Sequence, residues 1–227
     1  TAESASHLAE LFSLPPALFC ACPLSTDETV LQPQPYPVLS PAGNNISNGK
    51  CRVLFIGTMI PLHGIDTIVA CARLLEDDPL TITVIGNGQQ GASVSAAGGN
   101  IHWLREWVDS PGIAQVIAEA DVCLGIFGAT DKADRVLPYK IYAYSRVGRA
   151  VITAATSCLT NLTRELDYSP FILVPVADAE ALAEAIRELA SRPQLRAQYA
   201  AASARFYAEN LSNQALQAKL LGALAGV

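Results

Sequence analysis

Six short apolar runs punctuate the chain: RVLFIG at 52–57, LTITVIG at 80–86, NIHWL at 100–104, DVCLGIF at 121–127, AVITA at 150–154 and FILVPV at 171–176. Each has the length of a strand and none approaches the roughly 20 residues of a membrane helix. Helical patterns fill several intervals, notably Gly64 to Leu75, Ile113 to Ala120, Pro138 to Val147 and Ala179 to Ala190. Parallel strands need a crossover of this kind, whereas antiparallel strands turn tightly. The alternation therefore predicts an α/β fold: a doubly wound, mostly parallel sheet with helices on both faces. The tail from Pro193 to Leu224, Ala- and Leu-rich and broken near Asn210 to Asn213, predicts two final helices with Ser191 or Ser212 as caps.

The opening residues are less regular. Leu8, Leu11 and Phe12 fall at helical spacing within 3–13, and Ala17 to Cys22 predicts a short strand. From Pro23 to Lys50 the chain is rich in Pro, Ser, Asn and Gly, which predicts an extended surface connector. Residues 1–50 are thus expected to be a crossover helix, strand and connector of the same domain as the Rossmann-like body, 51–227.

At 227 residues, roughly 70% of the unfolded surface can be buried without a covalent staple. A net charge of −6 argues against a general nucleic-acid surface and toward a small or uncharged partner. Most of the six cysteines lie in apolar runs and read as reduced structural thiols. Cys20 and Cys22, one residue apart, have no His or second Cys pair near them to complete a metal site. No metal and no cofactor is expected. The first residues carry no leader pattern, which predicts a cytoplasmic chain, with the N-x-S/T triplets at Asn45, Asn161 and Asn210 as chance.

The stretch from Phe127 to Ile152 carries the main functional signal. An apolar run stops at Gly128, a charged loop holding Asp131, Lys132, Asp134 and Arg135 follows, and Pro138 opens a helix that ends at Gly148. In an open parallel sheet, ligands bind beyond the carboxyl ends of the strands, so this loop is a binding-loop candidate. The free N–H groups of the helix start, flanked by Arg135 and Lys140, suit an anion such as phosphate. An alternative makes Arg135 an ion-pair partner of Asp131 or Asp134.

Other signals are weaker. Gly86-Asn87-Gly88-Gln89-Gln90-Gly91 matches G-x-G-x-x-G after a strand, with Glu106 twenty residues after Gly86. The segment that should form the following helix, ASVSAAGGN, is short and Gly-ended, so a Gly-rich turn approaching a ligand is favoured over an NAD(P)-binding fingerprint. His63, between Gly57 and Gly64, is either a surface loop residue or faces the ligand. Trp103 and Trp107 are core or rim aromatics, or the wall of a base pocket.

The succession VLFIGTMIPLHGIDTIVACARLL, ITVIGNGQQ, NIHWLREWV, IAEADVCLGIFG, RVLPYKIYAYSRVGRAVIT and ADAEALAEAIRELASRPQLR resembles the C-terminal half of a retaining glycosyltransferase of GT-B fold from the group 1 family, over nearly the whole chain. The resemblance implies a domain that binds a nucleotide-diphosphate sugar. It also implies that an absent N-terminal domain binds the acceptor, including an acceptor at a membrane surface, and that this chain alone is inactive. It places Gly57, Thr58, His63, Gly64, Arg135 and Lys140 at the diphosphate. Gly86, Gly88, Arg105, Glu106 and Trp107 fall on the base side, and Asp131 or Asp134 at the sugar.

The sequence also departs from the family. Counting back from Gly148, the places of two common glutamates hold Arg135 and Ala143; the lysine expected in the first loop is replaced by His63, and the arginine region by Thr58-Met59. Some members resemble this chain in carrying R-V-x-P-x-K before the helix, where Arg135 and Lys140 can restore the positive charge. The missing carboxylates leave a second reading, a non-catalytic binding or scaffold domain.

Overall fold

The computed structural model describes residues 1–36, 50–97 and 100–225. Six strands, β1 (Cys51–Ile56), β2 (Leu80–Ile85), β3 (Ile101–Leu104), β4 (Val122–Leu124), β5 (Ala150–Ala154) and β6 (Ile172–Val174), form one sheet. Every pairing is parallel, in the order β3-β2-β1-β4-β5-β6. The chain starts in the middle, winds outward through β2 and β3, then returns to β4 beside β1. The order therefore reverses between β1 and β4, which opens a crevice at their carboxyl ends.

Ten α-helices are described: α1 (Ala2–Leu11), α2 (Ile65–Leu74), α3 (Gly91–Ser95), α4 (Ser110–Glu119), α5 (Asp131–Arg135), α6 (Tyr139–Val147), α7 (Ser157–Thr163), α8 (Ala179–Ser191), α9 (Pro193–Phe206) and α10 (Asn213–Ala225). Alternate residues of each strand feed two separate cores, as side chains on a pleated sheet must. Val53, Phe55, Ile82, Val84 and Leu124 pack with α2 and α8, while Leu54, Ile56, Ile85, Cys123 and Val151 pack with α4, α6 and α7. Because both faces are covered, β4 and β5 are buried throughout and read as continuous apolar runs. Helix ends follow local chemistry: the Asp178 side chain accepts from Ala181 N at 2.9 Å to start α8, and Gly148 at φ 77° stops α6.

Several expectations are corrected. Ala17 to Cys22 is not a strand. Pro16–Leu18 forms a single 3₁₀ turn with proline at its start; Phe19 after it is extended, and among the described residues this segment pairs with no strand. Pro15-Pro16 sets the turn, and the segment then leads to α6, where Leu24 N–H donates to Tyr142 Oη at 3.1 Å, instead of running along a sheet edge. Within the expected surface connector, Pro23, Thr26 and Leu31 are buried. Arg146 Nε donates to Leu31 O at 2.8 Å and Tyr207 Oη to Glu28 Oε1 at 2.8 Å, so this part is fastened to α6 and to the π turn Tyr207–Leu211. The rest of the connector, 37–49 with Asn45, lies outside the described residues. Ser212 caps α10, accepting from Ala215 N at 3.1 Å, but the Ser191 hydroxyl donates back to Arg187 O inside α8. Helix α5 lies in the stretch expected to be loop, and α7 in one for which no element was expected; Thr130 and Thr156 cap them.

Candidate functional site

Two concavities open at the carboxyl ends of the strands. The inner pocket, about 290 Å³, lies between the end of β1 and the start of α6, beside the crevice between β1 and β4. Ile56, Gly57, Thr58 and His63 form one side, Ile113, Ile117 and Trp107 another, and Pro138, Tyr139, Lys140, Ala143 and Tyr144 the third. The outer cleft, about 470 Å³, is bounded by Gly128, Ala129, Thr130, Asp131, Asp134, Arg135, Thr156 and Val176. The residues expected at the diphosphate are thus divided: Gly57, Thr58, His63 and Lys140 line the inner pocket, and Arg135 lines the outer cleft with both aspartates.

Lys140 is the unusual group. It lies in the first turn of α6 and reaches over the end of β1, where its Nζ stands 3.9 Å from the Phe55 ring centroid. It is buried, and Nζ has no hydrogen-bond partner among the described residues. Loss of water there holds the ammonium well below the ordinary lysine range. Glycine at 57 is what admits it, since a Cβ on Gly57 would lie 2.8 Å from Nζ and 2.9 Å from His63 Cε1.

His63 ends the 3₁₀ turn Pro61–His63 and is buried, which removes the surface alternative. Its Nδ1–H donates to the carbonyl of Thr58, and its ring meets Phe55 edge to face at 5.7 Å. Burial, with Lys140 adding to it, lowers its pKa to about 4. The imidazole is therefore neutral at pH 7, with Nε2 as an acceptor, and supplies no positive charge. Gly64, at φ 67°, brings the loop against the segment that follows β4: a Cβ would lie 2.5 Å from the Phe127 carbonyl carbon.

The Gly86 to Gly91 turn packs against protein. Cβ atoms on Gly86 and Gly88 would meet Gly57 O at 2.4 Å and Met59 N at 2.7 Å, so both glycines let the β2 loop press on the β1 loop. The helix that follows, α3, has five residues and gives no long dipolar N-terminus for a pyrophosphate. Trp103 is partly buried and donates to Gly86 O at 2.8 Å, while the Arg105 guanidinium lies 4.2 Å over its ring. Glu106 is exposed; Trp107, 55% exposed, turns to the inner pocket.

In the outer cleft Asp131 and Asp134 are exposed and Arg135 is half-buried. Asp134 Oδ1 accepts from Ser157 N at 2.7 Å, which lowers its pKa and anchors α7. Among the described residues no ion pair joins Arg135 to either aspartate, which weakens the purely structural alternative for it. Pro138, Tyr139, Ile113 and Ile117 were not expected to line a site, nor were Thr156 and Val176. The last two follow strands β5 and β6, and that position beyond a parallel strand was the available signal.

The family model described as glycosyl transferases group 1 matches residues 50–192. The chain belongs to this family. Among curated proteins, none matches its sequence. Solved structures similar to this group 1 chain include HepE of Anabaena in complex with UDP and glucose, 14% identical, with a TM-score of 0.74 over 99% of this chain and 62% of that one. The C-terminal domain of LpcC, a glycosyl transferase group 1 family protein of Francisella tularensis, is 16% identical at TM-score 0.65, covering 84% of this chain and 100% of that domain. WaaG, a glycosyltransferase involved in lipopolysaccharide biosynthesis, is 18% identical at TM-score 0.67 over 96% of this chain and 59% of that one. At these identities the likeness is one of fold, and it carries the expected GT-B half. The chain spans about three-fifths of the HepE and WaaG chains. No helix among the described residues is long and apolar enough to cross a membrane.

Proposed function

We propose that this chain binds the nucleotide-diphosphate-sugar donor of a glycosyltransferase whose acceptor is held by a second domain. The observation that carries the reading is Lys140. A buried ammonium with no hydrogen-bond partner among the described residues costs stability, and a diphosphate between the β1 loop and the start of α6 would supply its counter-ion. The first helical N–H groups of α6 add donors, while Trp107 and Tyr139 offer aromatic faces to a base or sugar. Arg135 and Asp131 lie where the sugar end of the donor would extend into the outer cleft. HepE has been captured with UDP and with UDP-glucose, so uridine nucleotides are the first to try.

Calorimetric titration of the chain with UDP, GDP, uridine and NAD tests this. Binding of a nucleoside diphosphate well above that of its nucleoside, with NAD inert, is the expected result. Equal affinity for uridine and UDP would remove the diphosphate from the site. Sugar transfer is not expected from this chain alone, because donor and acceptor react only when held together; measurable transfer by it would overturn that part. A second reading, a non-catalytic binding domain, is favoured by Ala143 lining the inner pocket where relatives of this family commonly carry a carboxylate. It predicts donor binding without transfer even when an acceptor-binding domain is present.

A further inference from the structure

The pair Cys20 and Cys22 lies outside the donor site and is unlike the other four cysteines. Its two Sγ atoms are 3.5 Å apart, Cys20 is exposed and Cys22 half-buried. The rest are buried, and burial pushes Cys51, Cys71 and Cys158 up to about 12 and Cys123 higher still. The backbone around the pair lies in no helix and, among the described residues, pairs with no strand, so it can adjust without breaking a sheet ladder. Cys20 is the more exposed of the two and is the one an incoming disulfide meets first, which fits Cys20 as the attacking group and Cys22 as the resolving one.

We propose that Cys20 and Cys22 form a reversible dithiol–disulfide site that reacts with small-molecule disulfides. The Cys20 thiolate attacks one sulfur of glutathione disulfide, forming a mixed disulfide and releasing one glutathione thiolate. The Cys22 thiolate then attacks Cys20 Sγ, closing the Cys20–Cys22 bond and releasing the second glutathione. The protein loses two electrons and two protons, and one glutathione disulfide becomes two glutathiones. A small exposed ring of this kind falls among the labile disulfides that a reductant readily reopens. Closure acts on the segment leading to Leu24, whose N–H holds Tyr142; that ring stacks on Tyr139 at the rim of the inner pocket, with centroids 6.1 Å apart.

Intact-mass analysis of the full chain, reduced and then exposed to glutathione disulfide, tests the proposal. The expected wild-type product is lighter by two hydrogens, maps to the peptide holding residues 20–22, and returns to the reduced mass with dithiothreitol. Cys22→Ser is expected to stop at one glutathione adduct on Cys20, because the resolving thiol is gone. A wild-type product that keeps glutathione, an interchain dimer, or modification of the buried cysteines before this pair would overturn the assignment. The variant replaces a half-buried thiol by a hydroxyl of similar size, so its fold, checked by circular dichroism, is expected to match wild type.

Discussion

The inner pocket between β1 and α6 and the outer cleft beyond β4 and β5 open at the same edge of the sheet, yet they hold charge in opposite ways. In the first, Lys140 is buried with no hydrogen-bond partner among the described residues and His63 is kept neutral. In the second, Asp131 and Asp134 stay exposed, and Asp134 is already engaged with Ser157 N. An unsatisfied buried ammonium is a cost that persists only where something returns it, whereas a water-exposed carboxylate that caps a helix has a structural reason to be there. The inner pocket is therefore the better candidate for the strongly held part of a ligand, and the outer cleft for the part recognised loosely.

The sharpest break in that comparison is Lys140→Met. It is expected to stabilise the free protein by about 1 to 3 kcal/mol, the cost of an unsatisfied buried polar group, while weakening nucleoside-diphosphate binding by about 3 kcal/mol. Thermal melts with and without UDP measure both, and a destabilised variant would mean that Lys140 is satisfied in the folded protein. The pH dependence has a definite sign. A lysine whose folded pKa is depressed binds fewer protons folded than unfolded, so free-protein stability is expected to rise with pH between that depressed value and the ordinary lysine range. Anion binding should weaken over the same window. His63 adds a lower step: with a folded pKa of about 4 against an ordinary 6.5, its contribution is present above 6.5 and is lost as pH falls from 6.5 through 4.

Gly57→Ala comes next, at about 2 kcal/mol of stability, because its Cβ would occupy space now held by Lys140 Nζ and His63 Cε1. Binding of UDP should fall with it; a variant that binds normally would show that the lysine is free to move. Arg135→Ala in the outer cleft is expected to weaken sugar-nucleotide binding by about 1.5 kcal/mol, the lower end for a hydrogen bond to a charged partner, and to leave the free nucleoside unchanged. Titrating sugar nucleotide and nucleoside in parallel decides it, since equal losses would make Arg135 structural. The smallest effect belongs to Asp134→Ala: about 0.5 kcal/mol of stability from the exposed contact to Ser157 N, seen in urea midpoints, with donor affinity unmoved. A large loss of donor affinity would instead put Asp134 at the sugar.

The sequence by itself determined the architecture, because strand and helix periodicities are local and the six apolar runs and Gly148 mark boundaries without help from distant residues. It also marked the stretch from Phe127 to Ile152, since a polar loop between a buried strand and a Pro-opened helix is visible in composition alone. The departures have physical causes. Ala17 to Cys22 is apolar enough for a strand, but strand formation needs a neighbour, and position in the fold decides that. The Gly86-x-Gly88 spacing looked like a ligand turn because glycine reports only close approach, and the approaching group turned out to be the β1 loop. Lys140 and Arg135, five positions apart, read as one cationic pair; only tertiary structure decided that one faces the buried crevice between β1 and β4 and the other the open cleft. Which charges lose water depends on what packs over them, and that is set by residues as distant in sequence from Lys140 as Phe55 and Trp107.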